Sequence, residues 1–558
     1  MPRPPVPPIV RRPLVGRQGP WRGVRDTMDP PSRDPTLAFR MRNVFPLTPE
    51  IGSGVVGRPG FRRAGAKTGP TVQWIGQFEK SGGTARWDIS LWDDPSSIWV
   101  GPGTLTDKTI KIAGGEIYEY DWLTDSWVLQ VSQAEIAAAG GALETAGRVW
   151  AVSFADVLVI TDGVNKPITW DGTPGGGVAV LTNAPVMFGP PTVYYARLFA
   201  IKADDRSTIV WCEPGQPNVG WEAEGYNNSW TLRQTDQAPL FALCGTNAGL
   251  YYFRARSVGM ILGAVDEEFR TTGTHEAVSE SVGCTSPDTV VIAEDSIWFL
   301  DSDGRPQRLR IGGELQEPAP WLDARELLRD ENLNFLPRAE ALYRPDLRQV
   351  LFLISTAGAA GASHILTFSA VTGQYLGFWD WSGMPSVMGM VRDPHTPVWR
   401  MMHATPDGTV YWHGTPNESV LDDDGAPIEH EFEGSSAWNG ELPGSSTSLE
   451  FRFVRLDYSI RPETDVIRLA YRTPYGESAE FVAHTGMARW DVSLWDDENA
   501  RWGGPGALTW HDTHLALGAF GLGRWLVPIV RHNVRAGRFF LGQIEAVAYA
   551  ETPAVMAR

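Results

Sequence analysis

The sequence predicts an all-β chain: a β-propeller of about six to eight blades, an appended β-sandwich-like domain and an extended Pro/Arg-rich N-terminal arm. Three observations carry this. Short runs rich in β-branched and aromatic residues recur along the chain, each bounded by Gly, Asp or Pro. Their starts lie about 32–52 residues apart, close to the repeat length of propeller blades. The 59 Gly and 42 Pro, set beside 24 Trp, call for many tight turns between aromatic-rich strands. An array of β-sandwiches is the competing architecture.

The unit that shows the pattern best is Val149–Gly172 (VWAVSFADVLVITDGVNKPITWDG). Val149–Phe154 and Val157–Ile160 are too short for ordinary helices and read as strands. Asp162-Gly163 supplies a residue that accepts positive φ, so the chain turns and returns as Lys166–Trp170 before Asp171-Gly172 turns it again. A meander this small cannot bury its own faces and must stack on others like it. Similar pieces start near Ile117, Tyr194, Leu240, Val290, Leu342 and Val387. Helix is scarce, with Ser132–Leu143 and Ala319–Asp330 as the two candidates, both short and lying between blades.

In chain order, residues 1–67 form the arm, 68–110 a β-hairpin module beside the propeller, 111–420 the propeller, 421–447 a linker or exposed loop, and 448–558 a C-terminal β domain. The prolines of the arm remove backbone donors and enforce extended or turn conformations. It is either a loose tail or laid along a partner, and its apolar Val6, Ile9, Val10, Leu14 and Trp21 favour docking. Ala85–Thr106 (ARWDISLWDDPSSIWVGPGTLT) returns at Ala488–Thr509 (ARWDVSLWDDENARWGGPGALT), with 15 of 22 positions identical. On a strand Trp87, Ile89 and Leu91 share one face, matched by Trp490, Val492 and Leu494. Asp93-Asp94 and Asp496-Asp497 end these strands, and Trp92 and Trp495 point to the other face. The duplicated module reads either as the core of a small β domain or as a repeated docking surface. The interface candidates are therefore Arg11, Arg12, Trp21, Trp87, Trp92, Asp93, Asp94, Trp490, Trp495, Asp496 and Asp497.

The formal net charge of −18 is uneven. Residues 1–67 carry 13 Arg and Lys against 4 acids, and the remainder 35 against 62. An acidic body is a poor phosphate binder, which argues against a nucleic-acid grip by the bulk of the chain. Cys212, Cys244 and Cys284 are far apart and odd in number, so they read as buried thiols rather than a disulfide or metal framework. No apolar run approaches 18 residues, so no membrane span is expected, and the N-terminus has no apolar h-region of a signal peptide.

The search for chemistry comes back nearly empty. There is no GxSxG, HExxH or Walker loop. Gly52–Gly57 matches GxGxxG, but Arg-Pro-Gly follows it instead of a helix. His511-Asp512-Thr513-His514 has no third metal ligand in view, and on a strand its histidines face opposite sides. Asp301–Gly304 and Asp422–Gly425 resemble calcium-loop fragments, but each lacks a ligand position and reads as a turn. No catalytic residue, metal or cofactor is expected. A glycosidase-like carboxylate pair is not excluded by counting, yet nothing singles one out.

The run Met41–Phe61 (MRNVFPLTPEIGSGVVGRPGF), with its N-V … G … R-P-G-F opening, resembles the start of the tail-nozzle proteins of short-tailed bacteriophages, also called tail tubular protein B or packaged-DNA stabilisation protein. Val157–Gly172, Asp204–Trp221 and Gly249–Gly263 are similar to the same family, and the resemblance covers roughly residues 40–415 as pattern. The duplicated module and the arm are not assigned by it. The resemblance implies a non-enzymatic virion protein, located in the tail and in the host cytoplasm during assembly. Its partners would be its own copies in a six-fold ring, the portal and adaptor proteins, tail fibre or spike proteins, and genomic DNA in transient, sequence-independent passage. An acidic wall would keep the duplex from sticking, and the basic arm would reach an acidic partner or the last turns of DNA. The alternative is a propeller-type glycan-binding tail protein that stacks exposed Trp and Tyr on sugars. A polysaccharide hydrolase is the third reading.

Overall fold

A computed structural model describes residues 14–18, 21–24, 37–46, 54–67, 70–80, 106–222, 228–232, 238–263, 274–316, 319–359, 361–396, 398–415, 420 and 422–434. In the C-terminal region it describes 439–440, 449–460, 466–473, 476–477, 481–484, 509–516, 522–523, 527–534 and 540–550. The chain is all-β, with a propeller of six blades of four or more strands and a three-stranded fifth blade.

Blade 1 is built from Val72–Lys80, Thr106–Ala113, Glu116–Asp121 and Ser126–Val131. Blade 2 runs from Trp150 to Val180 and blade 3 from Met187 to Thr231. Blade 4 spans Leu240 to Ser279. Blade 5 has three strands between Val291 and Arg310, and an isolated Leu309–Leu315 bridge is the stub of a fourth. Blade 6 spans Glu340 to Trp379, and blade 7 starts with Val387–Arg392, Trp399–Ala404 and Val410–His413. Its fourth strand is Phe61–Arg63, from near the other end of the chain. That strand closes the ring.

Among the described residues, seven hydrophobic cores lie between neighbouring blades rather than inside them. Phe78, Ile110 and Ile117 of blade 1 pack with Leu158 and Trp170 of blade 2. Val387, Val391 and Met402 of blade 7 pack with Val72 and Ile75 of blade 1, which completes the circle. This is why each meander needs its neighbours: a four-stranded sheet exposes two apolar faces, and only stacking removes both from water. The hairpins fold where expected. In blade 2, Trp150–Phe154 and Val157–Thr161 pair around Ala155 and Asp156, both at positive φ. The Asp162 carboxylate then accepts from the amides of Val164 and Asn165, and Gly163 sits at φ 79°.

Of the expected helices, Gln133–Ala138 forms with a Ser132/Glu135 capping box. Ala319–Asp330 becomes a 3-10 turn, Pro320–Ala324, followed by the one-turn helix Arg325–Leu328.

The described residues between 14 and 63 are not a free extension. Leu14–Gln18 lies in a C-terminal sheet beside Phe540–Ala550, and Val44–Pro46 forms a hairpin with Val55–Gly57. Arg40–Arg42 is wedged between blade 6 (parallel to Tyr375–Trp379) and Ile428–Glu433 (antiparallel). One ten-stranded sheet therefore runs from blade 6 through Arg40–Arg42 into Val527–Val534 and Val466–Thr473. Trp21, one of the interface candidates, is 3% exposed and meets Phe432 edge-on at 4.6 Å. It packs the N-terminal segment against its own chain. Thr106–Ala113, expected in a separate module, is the second strand of blade 1, so the boundary at residue 110 cuts through a blade.

Candidate functional site

The described residues bring polar and aromatic side chains together in one cleft of about 710 Å³, between blades 6 and 7 and the Ile428–Glu433 strand. Its frame is the N-V … R-P-G-F stretch. Asn43 takes a left-handed conformation at φ 56°, which asparagine tolerates better than most residues. From there its side chain fills all four of its hydrogen-bonding positions. Its Oδ1 accepts from the Asp380 amide and Arg58 Nε, both at 2.9 Å, and its Nδ2 donates to Asp380 Oδ1 and the Glu429 carbonyl at 2.9 and 2.8 Å. One residue thus ties the N-terminal strand to blade 6 and to the C-terminal sheet.

Arg58 is fully buried and pairs with Asp423 through two bonds of 2.9 and 2.5 Å. Burial holds the Asp423 carboxyl above its ordinary value, and Arg58 opposes that. Arg62 pairs with Asp422, and Arg63 with Asp424 at 3.4 Å. Three consecutive aspartates thus meet three arginines, two on the returning strand Phe61–Arg63 and one just before it. Gly60 has no room for a side chain, because a Cβ there would lie 2.0 Å from the Asp422 carbonyl oxygen. Asp422–Gly425, expected as a turn within a linker, is the counterpart of this charge strip. Asp301 also forms a turn, accepting from the Asp303 and Arg305 amides.

At the mouth, Arg42 bridges Asp380 at 2.9 Å and Glu429 at 3.1 Å. Burial works against the Arg42 charge, but these carboxylates hold its pKa above the ordinary arginine value. Asp407 is pulled down to about 2, first by the Thr405 hydroxyl and further by the Thr409 amide and hydroxyl. The floor is aromatic. Phe61 lies 5.4 Å from Trp381 and 5.1 Å from Tyr411, and His403 stacks on Tyr411 at 5.1 Å. Beneath them His403 Nδ1 and His413 Nε2 share a hydrogen bond of 2.8 Å, which requires one ring to donate and the other to accept. Burial drives the His403 pKa down to about 3 and holds His413 well below its ordinary value, so both rings are neutral.

A second cluster ties the centre of the propeller. Arg148 reaches Asp288 and Glu340, both at 3.0 Å, while Trp150 Nε1 donates to Asp288 and the Met388 amide to Glu340. These residues come from or border blades 2, 5, 6 and 7. One partly buried guanidinium faces two largely buried carboxylates. Burial, with repulsion from Asp288, raises Glu340 to about 7 against the pull of Arg148.

Both clusters spend their charges on joining chain segments. Among the described residues no group of three or more metal-ligating side chains occurs. The three cysteines are buried, as expected for structural thiols. Of the interface candidates only Trp21 lies within the described residues; Arg11, Arg12, Trp87, Trp92, Asp93, Asp94, Trp490, Trp495, Asp496 and Asp497 lie outside them. The side chains of His511–His514 do as well. Sequence reasoning missed Asn43, Arg58, Asp380 and Asp423 as a site, although the signal was present: Arg58, Arg62 and Arg63 are opposite in sign and equal in number to the run Asp422–Asp424.

No protein-family model matches the chain, and no curated protein matches it. Among solved structures it is similar to PorZ, an essential bacterial surface component of the type-IX secretion system of Porphyromonas gingivalis, at 10% identity and a TM-score of 0.35. The match covers 71% of this chain and 44% of PorZ, so the chain spans less than half of that protein's length. A likeness of that grade says nothing of activity or partners.

Proposed function

We propose that the chain is a structural virion protein: a subunit of the tail nozzle or hub ring of a short-tailed phage, below the portal and adaptor, that forms and gates the DNA exit channel. One observation carries the reading. The N-V … R-P-G-F stretch that resembles the opening of the nozzle family lies where the propeller is closed and joined to the C-terminal sheet, through Asn43, Arg58 and Phe61–Arg63. A subunit that bears load needs its termini locked into its body, and this stretch does that. The net charge of −18 supports passage of DNA without adhesion. In this reading the partners are further copies in a six-fold ring, the portal and adaptor, fibres or spikes, and the transiting genome.

The test is a quantitative mass-spectrometric count of the protein in purified particles relative to the portal. About half the portal's copy number fits a six-fold ring on a twelve-fold portal. A count several times higher points to fibres or decoration. Absence from particles overturns the virion reading and leaves the glycan-binding alternative.

A further inference from the structure

We propose that the cleft between blades 6 and 7 and the Ile428–Glu433 strand is the docking site for residues 1–13 of a second copy of this chain. The inference rests on one part of the ring reading, that copies of the chain assemble, and not on the virion setting. The cleft, about 710 Å³, has room for a few residues of an extended chain. Its lining carries five carboxylates, Asp380, Asp407, Asp423, Asp424 and Glu429, against the two arginines Arg42 and Arg58. Arg63 and Lys67 reach Asp424 and Asp407 from outside the lining at 3.4 and 3.5 Å, and one negative charge is still in excess. The excess sits at the mouth, where the side chains of Asp407 and Glu429 are 61% and 57% exposed. Arg42 approaches Glu429 at Oε2, which leaves Oε1 for a second donor. Trp381, Tyr411 and Pro427, all partly exposed, add apolar surface beside these charges.

Residues 1–13 (MPRPPVPPIVRRP) suit this surface in charge and in chain chemistry. They carry Arg3, Arg11 and Arg12 and no acid. Pro4, Pro5, Pro7 and Pro8 favour the polyproline II conformation, which docks on aromatic-lined grooves at little cost in chain entropy. Prolines bring carbonyl acceptors without N–H donors, and the Tyr411 hydroxyl is a donor of the kind they need. The strand register selects a second copy over the same chain. Leu14 lies opposite Ala548 and Gln18 opposite Ile544, whereas Leu541 of that strand lies opposite Val55, three residues before Arg58. Leu14–Gln18 therefore runs toward the Arg58 end of the sheet, and residues 1–13 start from its far end, about 24 Å along the strand from Val55. In polyproline II form they span ~40 Å, long enough to leave their own sheet and enter a neighbour's cleft.

The experiment uses the full chain carrying Val6→Cys and Ser382→Cys together, treated with a short bismaleimide. Ser382 lines the cleft and is exposed, and the three native thiols are buried, so the two introduced thiols react. The expected result is a ladder of linked dimers and larger species, with the two introduced thiols joined in the linked peptides read by mass spectrometry. Adding Arg3→Glu/Arg11→Glu/Arg12→Glu, or separately Glu429→Arg, should lower that yield ~tenfold or more, because like charges then meet. Ser281→Cys, exposed on another part of the propeller, should link poorly in place of Ser382→Cys. Links confined to single chains, links at Ser281→Cys as strong as at Ser382→Cys, or a ladder indifferent to both charge reversals overturns the docking. Mass photometry of the wild type separates the two readings. An assembly that forms without these links overturns the docking alone, and a chain that stays monomeric at every concentration overturns the ring as well.

Discussion

Replacing Arg58 by Met tests whether the N-terminal strand is locked by charge. The guanidinium side chain is fully buried, and Arg58→Met removes both bonds to Asp423 and the one to Asn43 Oδ1. The Asp423 carboxylate, itself 8% exposed, is left without its counter-charge. Stranding one partner of a buried pair costs about 3–5 kcal/mol. Asp423 can relieve part of this by taking up a proton, since burial already raises its pKa. The cost should therefore grow with pH, by up to ~1.4 kcal/mol per unit, until the pH passes the new pKa, and stay constant above it. Arg58→Met/Asp423→Leu removes both charges and should recover most of the loss, with a coupling energy of about 3 kcal/mol. The assay is urea unfolding followed by fluorescence, to which Trp381 contributes because Arg58 lies 4.8 Å from its ring. Hydrogen exchange at Phe61–Arg63 accompanies it, since these amides protect the closing strand of blade 7. A single variant within about 1 kcal/mol of wild type, with exchange at Phe61–Arg63 unchanged, would refute the latch.

Three further expectations follow from buried groups. Glu340 is raised to about 7, so its contribution is complete below its ordinary value of 4.5 and is lost as pH rises through 7; Glu340→Gln should gain about 3 kcal/mol on wild type between about pH 5 and 8, read by thermal unfolding across that range. His403 is depressed to about 3, so its contribution is present above 6.5 and is lost as pH falls below that; the acid limb of the stability curve should be shallower in His403→Gln by ~1.4 kcal/mol per pH unit. Cys212, Cys244 and Cys284 are buried and pushed up to about 12 by burial, so Ellman's reagent should label none in the native protein and all three after denaturation; rapid native labelling would contradict their burial.

What the sequence determined by itself was local. Alternating apolar runs and Asp-Gly turns specify blades such as Trp150–Val180 because pleat and turn chemistry act over a few residues. The blade spacing carried the propeller, since meanders that cannot bury their own faces must stack. The fate of the described residues between 14 and 63 was decided only by tertiary structure. Proline- and arginine-rich text reads as an arm, yet Trp21, Arg40–Arg42 and Phe61–Arg63 find partners hundreds of residues away, where no local pattern reports on them. The same holds for the cleft. Asn43, Asp380 and Glu429 are ordinary polar residues in sequence, and they became a site because closing the ring brought both ends of the chain to the same pair of blades. Charge complementarity between Arg58–Arg63 and Asp422–Asp424 was legible, but choosing that pairing among 66 acids and 48 bases required the fold.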